Sequence, residues 1–204
     1  MKIKKINEVV QVLKDGGVVA YPTETVYGLG VDIFDEEAVK KIYRLKGRDF
    51  KKPLLIAVSS FKMLKKVVRV TAADLKILKK LLPGPVAVVL PKKKIIPDFV
   101  TGKSKMVGVR FPDHQIALKI IEKFGGPITS TSANFSGEKE VTDWKDIKMR
   151  VDCLVRGKCK YKSPSTVIDL KKKIILREGV DAKRIKEILL GPSDNLLPRH
   201  LGGA

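Results

Sequence analysis

Short runs of β-branched and other apolar residues alternate with segments of helical periodicity along most of the chain. The runs predict eight strands, at residues 18–21, 54–58, 86–90, 107–111, 128–130, 153–156, 166–170 and 174–177. The periodic segments predict six helices, at 6–14, 35–44, 61–67, 72–82, 114–124 and 181–189. This alternation is typical of an α/β fold with a twisted, mixed or parallel sheet flanked by helices. We expect the eight strands to form one sheet or a barrel-like sheet.

Local signals place the ends of several of these elements. Asp35 is a candidate N-cap, and Thr71 stands three residues before Asp74 in a spacing close to a capping box. The lysine run 171–173 is typical of a soluble turn between the last two strands. No linker divides residues 1–190, so we expect one domain there. The last residues, 191–204, contain two prolines and three glycines without periodicity, which predicts a loose tail.

The composition limits where the protein works. No stretch approaches the ~20 apolar residues that a membrane span requires, and the N-terminus lacks the apolar core of a secretory signal. Cys153 and Cys159 are too few for a disulfide framework, so we expect two reduced thiols. The sequence therefore predicts a soluble, cytoplasmic protein with no membrane partner.

The charge balance predicts a partner that carries phosphate. The 204 residues include 42 Lys and Arg against 22 Asp and Glu, a formal charge of +20. Aromatic residues make up only 6% and are not interleaved with the basic ones, as they are in proteins that stack single-stranded RNA bases. A site for an anionic small molecule, on a protein with a solvated lysine surface, is favoured over a nucleic-acid module.

Standard nucleotide-binding and hydrolase motifs are missing. The segment GLGVDI at 28–33 starts like a dinucleotide fingerprint but has Ile33 in the place of the third glycine, and there is no Walker A sequence. His114 and His200 are the only histidines, and neither lies in a nucleophile motif. For His114 a capping or surface role and a ligand contact both stay open.

Polar segments that interrupt the apolar strands are the remaining candidates for chemistry. In LKGR at 45–48, Lys46 and Arg48 could both face one polyphosphate, or could complement the dipole at the end of a helix. Arg110, at the end of a strand, could clamp a carboxylate. Hydroxyl groups and free backbone N–H groups in the loop 127–137 could bind phosphate oxygens, although a plain serine-rich loop is the alternative. The segments 21–30 and 163–169, together with Arg177, complete the set.

Taken in order, these segments resemble the YrdC/Sua5 family of L-threonylcarbamoyladenylate synthases. The matching stretches cover almost the whole chain up to about residue 181, and the chain is similar to the short, single-domain form. They are YPTETVYGLG (21–30), LKGR (45–48), PLLIAV (53–58), PGPVAVVL (83–90), VGVRFPDH (107–114), PITSTSANFSG (127–137), PSTVID (164–169) and ILREG (175–179).

The resemblance implies an activity and its substrates. The family condenses L-threonine, bicarbonate and ATP to threonylcarbamoyl-AMP and pyrophosphate, for the formation of threonylcarbamoyladenosine at position 37 of tRNA. ATP is then a substrate, accompanied by Mg²⁺ whose ligands the sequence does not identify. The implied partners are a downstream tRNA-modifying complex and tRNA itself. The enzyme would be a nucleotidyltransferase that transfers an adenylyl group to N-carboxy-threonine.

The resemblance also implies roles for individual residues. Lys46 and Arg48 match the K-x-R pair on the ATP phosphates and carry the catalytic role, and Ser132 and Asn134 match the S-x-N element of the nucleotide site. Arg177 completes the nucleotide site. The implied threonine site consists of Thr23, Arg110, Ser130 and Ser165, with Arg110 paired to the carboxylate.

Two other functions stay open on the sequence. The first is an RNA-binding or ribosome-assembly factor that uses a basic surface on the same fold without catalysis. The second is a domain that processes carbamoyl phosphate, similar to the one within hydrogenase-maturation proteins. Both would act without L-threonine, which separates them from the synthase.

Overall fold

Seven α-helices and one 3₁₀ turn pack around the strands in the computed structural model, which describes residues 5–191. The helices are α1 (Ile6–Lys14), α2 (Glu36–Lys46), α3 (Phe61–Val67), α4 (Ala72–Leu81), α5 (Asp98–Thr101), α6 (Gln115–Phe124) and α7 (Ala182–Leu190), and the 3₁₀ turn is Trp144–Asp146. All six predicted helices are confirmed. Except for Gly191, the predicted tail lies outside the described residues.

The capping residues read from the sequence occupy the predicted places. The side chain of Asp35 accepts a hydrogen bond from the backbone N–H of Ala38, and Thr71 and Asp74 form a reciprocal capping box at α4. Helix α2 continues two residues beyond its predicted end and stops at Gly47, which adopts a left-handed conformation with φ of 58°. Lys46 is therefore the last helical residue, whereas Arg48 lies beyond the turn.

Within residues 5–191, ten strands form two mixed sheets, so the expectation of one sheet is wrong. The strands are β1 (Val19–Tyr21), β2 (Gly28–Gly30), β3 (Ile56–Ala57), β4 (Val86–Pro91), β5 (Met106–Arg110), β6 (Ile128–Thr129), β7 (Thr131–Ser132), β8 (Cys153–Leu154), β9 (Thr166–Asp169) and β10 (Ile174–Arg177). One sheet has the order β7-β2-β1-β8 and the other β10-β9-β4-β5-β3-β6. Both sheets combine parallel and antiparallel pairs, as the fold class predicted.

The chain passes from one sheet to the other at Ser130. The predicted strand 128–130 ends one residue early as β6 in the larger sheet, and β7 begins one residue later in the smaller sheet. Between them, the N–H of Ser130 donates to the carbonyl oxygen of Leu55. Strands β2 and β7 were not predicted because they are only three and two residues long, too short to show an alternating pattern, and β2 contains two glycines.

Strand β1 separates two hydrophobic cores. Its neighbour Val18 and its Ala20 contribute to the larger core, whereas Val19 and Tyr21 point to the opposite side and pack into a smaller core with α1 and α6. Both faces of β1 are therefore buried, which explains why it reads as a continuous apolar run.

Cys153 and Cys159 are both buried, and neither forms a disulfide bond in the described structure. Within residues 5–191, no helix is long and apolar enough to cross a membrane.

Candidate active site

Residues from both sheets line a cavity of about 240 Å³. The smaller sheet and the turn between β1 and β2 contribute Thr131, Ser132 and Val26, and the larger sheet contributes Arg110, Val167 and Arg177. The remaining lining residues are Arg48, Pro53, Leu55, Ser130, Glu140, Pro164 and Ser165. Three arginines and one glutamate are among the lining residues, so the cavity is basic. Such an environment suits a ligand with several negative charges.

Arg48 reaches the cavity because of the turn at Gly47. The guanidinium donates through Nη2 to the carbonyl oxygen of Pro53 at 3.0 Å, and its buried Nε atom has no hydrogen-bond partner in the described structure. A residue with a side chain is strained at the left-handed φ of Gly47. Because of this turn, the side chains of Lys46 and Arg48 point in different directions, and only Arg48 lines the cavity.

Lys46 lies behind the cavity wall and does not line the cavity. Its buried ammonium donates to the carbonyl oxygens of Ser132 and Asn134, at 2.5 and 2.6 Å. Burial, together with the nearby charge of Arg48, lowers the pKa of Lys46 to about 8. The ammonium fixes the backbone of the serine-rich loop, and its direct contact with ATP phosphates stays a prediction.

Ser132 and Asn134 lie on either side of the wall between two cavities. Ser132 lines the basic cavity, whereas Asn134 lines an adjoining cavity of about 490 Å³ formed mainly by residues 133–149. The Asn134 amide donates through Nδ2 to the carbonyl oxygen of Glu138 at 2.6 Å. Glu140 lines both cavities. The S-x-N element therefore contributes one residue to each cavity.

Arg110 is buried at the end of β5 and reaches across to the turn between β1 and β2. Its Nη1 donates to Oγ1 of Thr25 at 2.7 Å, and its Nη2 forms an ion pair with Glu24. The Nε atom of Arg110 and the Oε2 atom of Glu24 are both buried without a hydrogen-bond partner in the described structure. Burial raises the pKa of Glu24 above its ordinary value, and the charge of Arg110 opposes that rise.

Thr23 is buried in the same turn and does not line the cavity. Its hydroxyl donates to the carbonyl oxygen of Val26 at 2.6 Å and accepts from the backbone N–H groups of Thr25 and Val26. These bonds shape the turn that presents Thr25 and Glu24 to Arg110. A direct contact between Thr23 and threonine stays a prediction.

Ser130, Ser165 and Arg177 all line the cavity, and their predicted contacts with substrates stay predictions. Arg177 donates through Nη2 to the carbonyl oxygen of Ser165 at 2.7 Å, and the Ser165 hydroxyl lies 3.4 Å from the same nitrogen. Ser130 is buried at the crossing between the sheets. His114, in contrast, lies away from the cavity, with its Nε2 atom 3.2 Å from the carbonyl oxygen of Lys158.

Sequence reasoning missed three polar residues of this region, namely Glu24, Thr25 and Glu140. Glu24 and Thr25 belong to the polar segment 21–30, but nothing in one sequence shows that they meet Arg110, 85 or 86 positions later. Glu140 has no local motif at all. Among residues 5–191, no cluster of three His, Cys, Asp or Glu side chains could hold a metal ion.

A family model decides the classification. The model of the Sua5, YciO and YrdC proteins, described as "Telomere recombination", matches residues 11–179. The chain belongs to the Sua5/YciO/YrdC family. The match spans both sheets and includes every candidate site residue.

Individual members of the Sua5/YciO/YrdC family agree with this classification. The threonylcarbamoyl-AMP synthase of Pyrococcus abyssi is 39% identical over 175 residues, which cover 82% of this chain and 52% of that protein. The threonylcarbamoyl-AMP synthase of Photobacterium profundum is 35% identical over 182 residues, covering 85% of this chain and 98% of that protein. The chain thus spans about half of the archaeal relative and nearly all of the bacterial one.

A solved structure in the family shares the fold. The crystal structure of P. abyssi Sua5 complexed with L-threonine superposes with a TM-score of 0.86 at 36% identity, covering 92% of this chain and 58% of that chain. This likeness confirms the YrdC-like architecture that the sequence predicted.

Proposed function

We propose that this protein is a threonylcarbamoyl-AMP synthase that condenses L-threonine, bicarbonate and ATP. The observation that carries the proposal is the basic cavity between the two sheets, where Arg48, Arg110 and Arg177 converge beside the serine hydroxyls. The reaction is taken from the family and from the names of its members. The arginines and hydroxyl groups of the cavity are the kinds of groups that such a reaction requires.

The first step joins threonine to bicarbonate. The amine nitrogen of threonine forms a bond to the bicarbonate carbon, water leaves, and the product is a carbamate. Arg110 pairs with the α-carboxylate through N–H groups that its protein contacts leave free, and Ser130 and Ser165 line the same cavity. Thr23 contributes to this site through its turn, with a direct contact as its predicted role.

The second step transfers the adenylyl group. A carbamate oxygen attacks the α-phosphorus of ATP, and the bond from that phosphorus to the bridging oxygen breaks, so pyrophosphate leaves with its electron pair. No covalent enzyme intermediate is needed. The protein positions two anions and compensates the charge that develops on the leaving group. This assigns the enzyme to the nucleotidyltransferases.

Arg48 and Arg177 are the groups we assign to the phosphates, because both face the cavity and Arg48 has an unsatisfied Nε. Lys46 supports them by holding the backbone of Ser132 and Asn134, and its predicted catalytic contact with phosphate would require it to leave these carbonyls. Mg²⁺ would accompany ATP, with phosphate oxygens and water as most of its ligands, and would offset part of the triphosphate charge.

Pyrophosphate release from ATP, measured with and without L-threonine at fixed bicarbonate, tests the proposal. We expect release only when threonine and bicarbonate are both present, together with threonylcarbamoyl-AMP detected by mass spectrometry. Equal rates with serine or glycine would exclude threonine as the specific substrate. Release that needs carbamoyl phosphate instead of threonine would favour the carbamoyl-phosphate alternative.

The product's place in tRNA modification is part of the same proposal. Threonylcarbamoyl-AMP is a mixed anhydride that hydrolyses readily, so an enzyme that transfers its threonylcarbamoyl group to adenosine 37 of tRNA must consume it. A basic surface could also bind tRNA directly. Tight, salt-sensitive RNA binding without any pyrophosphate release would favour the RNA-binding alternative.

A further inference from the structure

The ion pair between Glu24 and Arg110 joins the two sheets at the cavity. Arg110 ends strand β5 of the larger sheet, and Glu24 lies in the turn between β1 and β2 of the smaller sheet. Both side chains are at least 95% buried. A charge at this depth is held in place by its partner, because an unpaired buried charge is strongly unfavourable.

The contacts of Arg110 leave part of its guanidinium free for a ligand. A guanidinium has five N–H groups. One on Nη2 is directed to Glu24 and one on Nη1 to Thr25, so three remain, including the buried Nε–H that has no partner in the described structure. A carboxylate needs two parallel N–H groups for bidentate binding. Glu24 and Thr25 thus hold the group while leaving enough donors for a carboxylate.

The geometry of the Glu24–Arg110 ion pair is not what stabilisation of the fold alone would require. The Oε2 atom of Glu24 and the Nε atom of Arg110 are each buried and unsatisfied within the described residues. Buried ion pairs contribute to stability only when the remaining polar atoms find hydrogen bonds, and an unsatisfied buried group in a native structure calls for an explanation. A ligand that accepts a hydrogen bond from Arg110 supplies that explanation for the Nε atom.

We propose that Glu24 is a positioning residue for L-threonine, acting through Arg110. Glu24 and Thr25 fix the guanidinium before threonine arrives, so the orientation needed to bind the α-carboxylate is already set in the free protein. This inference rests on the proposed function, because it takes the carboxylate of threonine as the ligand of Arg110. Glu24 itself is not a catalytic residue and does not line the cavity.

The test compares steady-state kinetics of Glu24→Gln, Arg110→Lys and the double variant with those of the unaltered protein. For Glu24→Gln we expect the KM for L-threonine to rise about tenfold or more, with the KM for ATP and kcat changed by less than about threefold. Glu24→Asp, which restores the charge on a shorter side chain, should recover part of the loss. Glu122→Gln, at an exposed position on α6, is the matched control and should change neither KM.

The double variant separates an effect through Arg110 from an independent one. If Glu24 acts through Arg110, adding Glu24→Gln to Arg110→Lys should raise the KM for threonine no further. Additive effects would overturn the proposal. An equal rise in the KM values for threonine and ATP, or a loss of folded protein with unchanged KM values in the folded fraction, would also overturn it, because either result indicates a general structural role.

A fallback variant tests the positioning role if Glu24→Gln does not fold, and the result for Arg110→Lys separates this inference from the proposed function. Should Glu24→Gln fail to fold, Thr25→Val removes the second contact of Arg110 without leaving a charge unpaired, and we expect a smaller rise in the KM for threonine, about threefold. An unchanged KM in Thr25→Val would then overturn the proposal.

If Arg110→Lys leaves the KM for threonine unchanged, the carboxylate role of Arg110 in the proposed function fails. If Arg110→Lys raises it and Glu24→Gln does not, only the positioning role fails.

Discussion

The ammonium of Lys46 donates a hydrogen bond of 2.5 Å to the carbonyl oxygen of Ser132, 86 positions later in the chain. This bond makes the end of helix α2 and the serine-rich loop one structural unit. A change in the charge of Lys46 must therefore alter the wall of the cavity, even though Lys46 does not line it.

Lys46 should make both stability and ATP affinity depend on pH. Its pKa in the folded protein is about 8, below the 10.5 of the unfolded chain, because burial disfavours the charged form. Between pH 8 and 10.5 the unfolded chain therefore binds more protons, and this group's contribution to the free energy of unfolding rises with pH, by at most about 1.4 kcal/mol per pH unit. Over the same window, ATP affinity should fall as the positive charge is lost.

Lys46→Met provides the reference for that pH dependence. The difference in unfolding free energy between the unaltered protein and Lys46→Met, measured by urea titration, should rise between pH 8 and 10. A difference that stays constant over this range would contradict the lowered pKa. Lys119→Met, at an exposed position on α6, is the control for the loss of a lysine at the surface.

Arg48→Lys tests the forked geometry of the phosphate site. The substitution keeps the charge but removes the planar set of donors, so we expect the KM for ATP to rise about tenfold while the KM for threonine changes little. Arg44→Lys, in the last turn of α2, is a nearby control, because Arg44 is exposed and pairs with Glu37. Equal effects of the two substitutions would show that the forked guanidinium of Arg48 has no specific role in ATP binding.

Gly47→Ala and Gly125→Ala form a second matched pair. Both glycines end a helix with positive φ, 58° and 83°, and neither has an atom within 4 Å of an added Cβ. Each substitution should lower the free energy of unfolding by about 1 kcal/mol through backbone strain alone. Only Gly47→Ala should also raise the KM for ATP, because Gly47 directs Arg48 to the cavity. A similar loss of activity in Gly125→Ala would count against this explanation.

Glu140→Gln should strengthen the binding of pyrophosphate in the absence of Mg²⁺. Among the described lining residues, Glu140 is the one carboxylate in a cavity with three arginines, and it raises the pKa of Lys46 by its charge. Removing it leaves a more positive cavity, so we expect the dissociation constant of pyrophosphate, measured calorimetrically with EDTA, to fall about threefold. Glu138→Gln, on the adjoining loop, should have a smaller effect. Weaker binding in Glu140→Gln would contradict this role.

The sequence was most informative where apolar periodicity or capping chemistry is local. The helices and the caps at Asp35 and Thr71 follow from residues within a few positions of one another. The division into two sheets could not be predicted, because it depends on the pairing of β2 and β7, whose residues Gly28 and Ser132 are far apart in the chain. Pairing between distant segments has no signature in hydrophobic patterning alone.

The same limit applies to the candidate site. Spacing placed Arg48, Arg110, Ser132 and Ser165 in polar segments, and all four line one cavity. It could not show that Lys46 and Thr23 would be engaged with backbone groups instead of facing that cavity. Nor could it identify Glu24, whose importance arises only from its contact with Arg110.

The crossing of the chain at Ser130 gives substrate binding a measurable dynamic consequence. Because the cavity wall on either side of Ser130 consists of strands from different sheets, a ligand between them protects both sheets from local opening. Amide hydrogen exchange in β2 and β7 should therefore slow together with exchange in β3 and β5 when threonine binds. The two sheets would then behave as one exchange unit in the complex and as two in the free protein.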